Sequence, residues 1–213
     1  MATKTISPTI EAPVEAIFDA DQNYGGDNGA TYGSARVAYV GGSKTFLFRS
    51  LANFDVSAVA ADTINSASLW LHHYVATNTP TAHISRNTRP STWVEAQVTW
   101  NDYSTGNAWT AGGGDVDDVT PTEVTFSLAG STGWQEVTGL KGHVDDAIAS
   151  RGNIVALNLH LAEQDPGFDD GHYWRGGRYL SLAWYLRIDY TPASPAGIPF
   201  ERPSRATRAL LRR

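Results

Sequence analysis

The chain contains no cysteine, which excludes a disulfide framework, a thiolate metal site and a cysteine nucleophile. Methionine occurs once, and lysine only as Lys4, Lys44 and Lys141. Charged residues make up 18% of the sequence against 41% hydrophobic. That ratio excludes disorder and long solvated helices. No apolar run is long enough to cross a membrane, and the N-terminus, Met-Ala-Thr-Lys-Thr-Ile-Ser-Pro-Thr-Ile, has no signal-peptide core. The expectation is a chain made in a cytoplasm, not exported by the standard route, with no membrane partner. Gly-x-Ser-x-Gly, His-Glu-x-x-His and a phosphate loop are all missing, so no enzymatic activity is expected. Gly112-Gly113-Gly114 has no lysine and helix after it and reads as a turn.

The formal charge is −6 and is unevenly spread. Glu201–Arg213 carries about +4 and the remainder about −10. An acidic body makes nucleic acid an unexpected partner and assigns electrostatic docking to the tail.

With 213 residues, the chain is long enough for a substantial core, as one large or two small domains. Ser91–Asp115 holds three of the seven tryptophans, Trp93, Trp100 and Trp109. Between them lie the turn formers Asn101-Asp102, Ser104-Thr105-Gly106 and the glycine triplet. Large anchors on permissive backbone describe a long loop pinned over a core, the clasp of an all-β domain.

Strand signals recur at short intervals over Ala35–Val40, Thr45–Leu51, Ser66–Val75, Thr81–Arg86, Glu123–Leu128, Gly152–Leu161 and Leu180–Tyr190. In the third, Leu69, Leu71 and Val75 point one way and Trp70, His72 and Tyr74 the other. Thr45–Leu51 is apolar on both sides and is expected to be central and doubly covered. Thr138–Ser150 instead repeats at helical spacing (Leu140, Val144, Ala147, Ile148). It predicts one helix of about three turns, capped by Thr138, stopped at Arg151-Gly152 and lying across an opening of the sandwich. Residues 1–17 read as an extended arm with at most one edge strand, and 18–191 as the domain. Residues 192–213 form a proline-spaced basic tail. The fold expected is an all-β antiparallel two-sheet jelly-roll sandwich with one short helix and extended terminal arms.

Two places suit a glycan, which needs aromatic faces for its C–H surfaces and a few orienting polar groups. One is the Trp70, His72, Tyr74 side of its strand; its plain alternative is a second sandwich face covered by the tryptophan loop or a neighbouring subunit. The other is Tyr173, Trp174, Arg175 and Arg178, whose arginines suit uronate carboxylates. The alternative there is a structural loop with ion pairs. No cofactor is expected. Clustered carboxylates at Asp165–Gly171 and at Asp115, Asp117 and Asp118 offer oxygen to calcium, but neither has the spacing of a calcium loop, and solvated acidic turns are the plain reading. In the tail, Arg202, Arg205, Arg208, Leu210, Leu211, Arg212 and Arg213 form a docking segment for a protein partner, or a solubilising tail.

The segments Thr31-Tyr32-Gly33-Ser34-Ala35, Phe48–Ser57, Ile64–Leu71, Trp93-Val94-Glu95, Val98-Thr99-Trp100-Asn101, Ala108–Asp115, Gly133–Thr138 and Trp184–Tyr190 resemble, in that order, the disaggregatase-related (DNRLRE) β-sandwich family. The resemblance runs over roughly 18–191. It implies a non-catalytic jelly-roll module similar to carbohydrate-binding modules and to free-standing modules of bacteriophage particles. The expectation that follows is an oligomeric virion component, a head decoration or tail-associated protein docked on other virion proteins by its terminal arms. The alternative is a module binding an acidic or host-surface polysaccharide.

Overall fold

Alternation of apolar side chains writes two layers into this chain, and in the computed structural model they stand face to face. The structure describes residues 1–15, 32–40, 43–76, 79–89, 93–161, 169–175 and 183–194. The first six strands are β1 (Ala2–Ile6), β2 (Ile10–Glu15), β3 (Tyr32–Val40), β4 (Ser43–Asp55), β5 (Thr63–Ala76) and β6 (Thr81–Asn87). Next come a small hairpin, β7 (Asp102–Ser104) with β8 (Asn107–Ala108), and then β9 (Val116–Asp117), β10 (Val124–Ser127) and β11 (Gly133–Thr138). The helix α1 (Lys141–Ser150) precedes β12 (Ile154–Leu161), β13 (Asp169–Arg175) and β14 (Tyr185–Thr191).

One layer runs β1–β14–β5–β11 and the other β2–β4–β12–β6–β10, every pair antiparallel. Strand β13 pairs with both β5 and β3, joining the layers into one continuous 12-stranded sheet folded over itself. Leu69 and Leu71 of β5, with Leu186 and Ile188 of β14, meet Phe54 of β4 and Leu157 and Leu159 of β12 between the layers. None of these is more than 1% exposed, and burying each stabilises the fold by about 2 kcal/mol.

Over Leu51–Phe54, strand β4 is covered on both sides; the side chains of Thr45–Phe48, on which the same expectation rested, lie outside the described residues. Ala52 and Phe54 enter the main core, while Leu51 belongs to a second cluster with Ala12, Val14, Trp93, Val98 and Trp109. That second cluster is the clasp. Trp93 Nε1 donates to Asn53 Oδ1 at 3.2 Å, Trp109 Nε1 to the Thr99 carbonyl at 3.1 Å, and Asn158 Nδ2 to the Gly113 carbonyl at 2.9 Å. A Cβ on Gly112 would stand 2.2 Å from Trp100 Nε1, so the glycine triplet serves close approach as well as turning.

Leu140 at its N-cap and Val144 and Ala147 of helix α1 enter the main core, and the helix contacts both β5 and β12, one strand of each layer. Its start differs from expectation. Thr138 is the last residue of β11, paired with Ser68, and Leu140 holds the N-cap position without a side-chain cap. Leu140 is instead fixed by burial in the main core. The stop is as expected, with Gly152 at φ 60 and Asn153 at φ 66.

The N-terminal stretch is not an arm. Strand β1 adds to β14 and β2 to β4, Ala12 and Val14 are buried, and Trp184 Nε1 donates to the Glu11 carboxylate. Pro13 concealed the second strand from periodicity. A proline is tolerated there because, among the described residues, β2 pairs only with β4. Strands β11 and β13 were also unforeseen. The former is short and polar on one side, and the latter opens Asp169-Asp170-Gly171, which reads as a turn.

Candidate functional site: an aromatic sheet face

The outer side of β5 carries Trp70, His72 and Tyr74, each partly exposed, while Leu69, Leu71 and His73 point inward and are buried. Sheet register then brings in two rings. Tyr185 of β14 lies opposite Trp70, and Trp134 of β11 lies opposite His72. Trp70 and Tyr185 stack at 6.0 Å with 9° between planes, and Trp134 stands edge-on to Trp70 at 6.3 Å and to His72 at 5.0 Å. Trp134 is also 5.3 Å from Tyr185. Its indole remains 41% exposed. At the far end, the Arg175 guanidinium covers the Tyr74 ring at 4.5 Å.

The tryptophan loop does not cover this face. It lies on the other layer, over Leu51, Asn53 and Asn158. The same side of β5 turns polar after Trp70: Ser68 accepts from Trp70 Nε1 at 3.2 Å, and Ser66 donates to Asp189 at 3.2 Å. Here a cleft of about 170 Å³ is lined by Ser66, Ser68, Glu136, Lys141 and Asp189. The Thr3 hydroxyl, donating at 2.6 Å, holds the Asp189 carboxyl below the usual carboxylate range. Apolar rings at one end and orienting hydroxyl and charged groups at the other are what an extended carbohydrate requires.

The second glycan candidate divides. Trp174 lies on β13 fully buried, 5.8 Å from Trp184 and 6.4 Å from His73. It is a core residue, not a sugar platform, because strand alternation turns it inward where a loop would have left it out. Arg175, next along, faces Tyr74 and so joins the first candidate. Tyr173 pairs through its backbone with Ser34 and Val75. Arg178 and the tail residues Arg202–Arg213 lie outside the described residues. Sequence reasoning singled out neither Trp134 nor Tyr185 as a site residue. The alternation in Gly133–Thr138 was available, but only its pairing with β5 places Trp134 beside His72.

The acidic turn is structural. Asp115 accepts from Arg89 Nε at 2.7 Å and from the Ala111 amide at 2.9 Å. Asp117 pairs with Arg86 and accepts the amides of Val119 and Thr120 at 3.0 and 3.1 Å. Those amides hold its pKa down. Arg86 also reaches Asp146 at 3.0 Å, tying β6 to α1. Of the other acidic stretch, 165–168 lie outside the described residues, and Asp169–Gly171 begin β13.

A further polar cluster sits on the outer side of the second layer. His83 Nδ1 is 2.7 Å from Glu123 Oε2, His160 Nε2 is 4.0 Å from Glu123 Oε1, and Ser85 Oγ donates to Glu123 Oε1 at 2.9 Å. Burial raises the Glu123 pKa, but the hydrogen bonds from His83 and Ser85 outweigh it and leave the group below its ordinary value.

No curated protein matches the chain. A family model does, over residues 27–144, from the segment before β3 through the tryptophan clasp and β11 into α1. The match covers more than half of the 213 residues, and the chain belongs to the disaggregatase related repeat domain family.

Proposed function

We propose that this chain is a non-catalytic polysaccharide-binding module whose ligand lies along β5, on Trp70, His72, Trp134 and Tyr185. The observation that carries this reading is the contiguous, partly exposed ring set on the outer side of β5, β11 and β14. Ring faces take the C–H surfaces of successive sugars, Arg175 and Arg187 can meet carboxylate or hydroxyl groups, and Ser66, Ser68 and Glu136 fix orientation. The test is affinity electrophoresis in gels cast with neutral and with uronate-rich polysaccharides. Trp134→Ala and Tyr185→Ala are expected to abolish retardation while leaving the thermal midpoint within a few degrees. Retardation by both variants equal to the unmodified chain would remove this site.

A second reading is a virion component, oligomeric and docked on other virion proteins. It is favoured by the segregation of charge between a body of about −10 and a tail of about +4. Docking by the N-terminus has no support, since β1 and β2 are integral strands.

A further inference from the structure

We propose that His83, Glu123 and His160 form a binding site for a divalent transition ion of the zinc class. The site lies on the layer away from the aromatic face and does not depend on glycan binding. Its scaffold is rigid: His83 of β6 and His160 of β12 are direct cross-strand partners, with rings 5.4 Å apart and 15° from parallel. Glu123 immediately precedes β10, whose Val124 pairs with Ile84, so its carboxylate lies beside both imidazoles. One ligand atom from each of the three residues falls within 4.8 Å of the others. A tetrahedral zinc needs ligand atoms about 3.4 Å apart, a contraction that small side-chain rotations supply.

Ligand chemistry decides the ion. Two imidazoles and one carboxylate suit zinc, cobalt, nickel or copper, whereas calcium takes six to eight oxygens. The three side chains are 19–24% exposed, leaving an entry route and a fourth position for water. Ser85 Oγ already holds Glu123 Oε1, the outer contact that orients a metal-binding carboxylate. On binding, His83 carries its proton on Nε2, its Nδ1 lone pair goes to the ion, and the present contact with Glu123 opens. The Arg49 guanidinium acts electrostatically on His160 and lies over Trp100 at 4.9 Å. Its charge opposes a dication and the carboxylate offsets it, so the affinity expected is moderate.

The full chain, freed of metal with a chelator, is titrated with Co²⁺ and read by visible absorption. One equivalent is expected to produce the intense band of a four- or five-coordinate ion, displaced by Zn²⁺. Glu123→Gln and His160→Gln should each weaken binding at least tenfold, with folding checked by circular dichroism. Independently of any variant, Co²⁺ should broaden the imidazole NMR signals of His83 and His160 before those of His72, His73, His143 and His172. Absence of the band, its full retention in a folded variant, or broadening centred on other histidines would overturn the proposal.

Discussion

Gly114 adopts φ +106, and a Cβ there would stand 2.8 Å from Asn158 Nδ2 and 3.2 Å from Leu51. Gly106, at φ +73, has nothing within 4 Å of such an atom. Both substitutions to alanine strain the backbone, but only one also collides with the sheet beneath. Gly114→Ala is therefore expected to cost at least about 2 kcal/mol and Gly106→Ala about 1 kcal/mol, by urea unfolding. Equal midpoints for the two variants would mean that the clasp does not press on β12. The glycine triplet was legible as a turn, yet its second purpose was not: Trp100 and Asn158 meet it only after the loop has folded across two strands.

Helix α1 and the tryptophan clasp are elements whose anchoring sets their behaviour. His143 is buried in α1, and burial pushes its pKa down from 6.5 to about 4. Asp146 on the same helix favours the charged ring and Arg86 of β6 opposes it. The unfolded chain thus binds a proton between pH 6.5 and 4 that the folded chain refuses. Stability from this group is complete above pH 6.5 and falls as pH drops toward 4, by at most about 1.4 kcal/mol per pH unit. His160, which burial also pushes down to about 4, adds to the slope of unfolding free energy over the same window, so His143→Gln should lessen that slope without abolishing it; an unaltered slope would exclude the helix as a source. For the clasp, Trp109 is 6% exposed against Ala12, Val14 and Leu51. Trp109→Ala is expected to cost about 3–5 kcal/mol, and hydrogen exchange should quicken in 93–115 before it quickens in β5 or β14. Uniform exchange throughout would show that loop and sandwich unfold as one. Periodicity announced the helix because Leu140, Val144 and Ala147 repeat on one side. Its first residue was misjudged because Thr138, a good cap in isolation, is claimed by pairing with Ser68.

As a whole molecule, the sandwich closes its core within the described residues, with both N-terminal strands inside it. The last described contact is the Ala193 amide donating to Asp62 Oδ1 at 2.8 Å. A chain shortened to residues 1–194 is expected to keep its thermal midpoint and its circular dichroism. Under the virion reading it would also lose incorporation into particles. A collapse of the midpoint would instead make the basic tail part of the fold, and unchanged incorporation would count against tail docking.

By itself the sequence determined the layer character of this protein. Alternation in Leu69–Leu71, Val155–Leu161 and Trp184–Ile188 fixes which side of each strand is dry, and three tryptophans among turn formers can be buried only as a loop folded onto a sheet. Tertiary structure alone decided which rings share a surface. Trp174 was turned inward by its strand, Trp134 was brought to His72 by register, and His83 and His160 were set opposite each other across two strands. Such neighbours are joined by backbone hydrogen bonds between segments far apart in the chain, and no local pattern of side chains specifies that pairing.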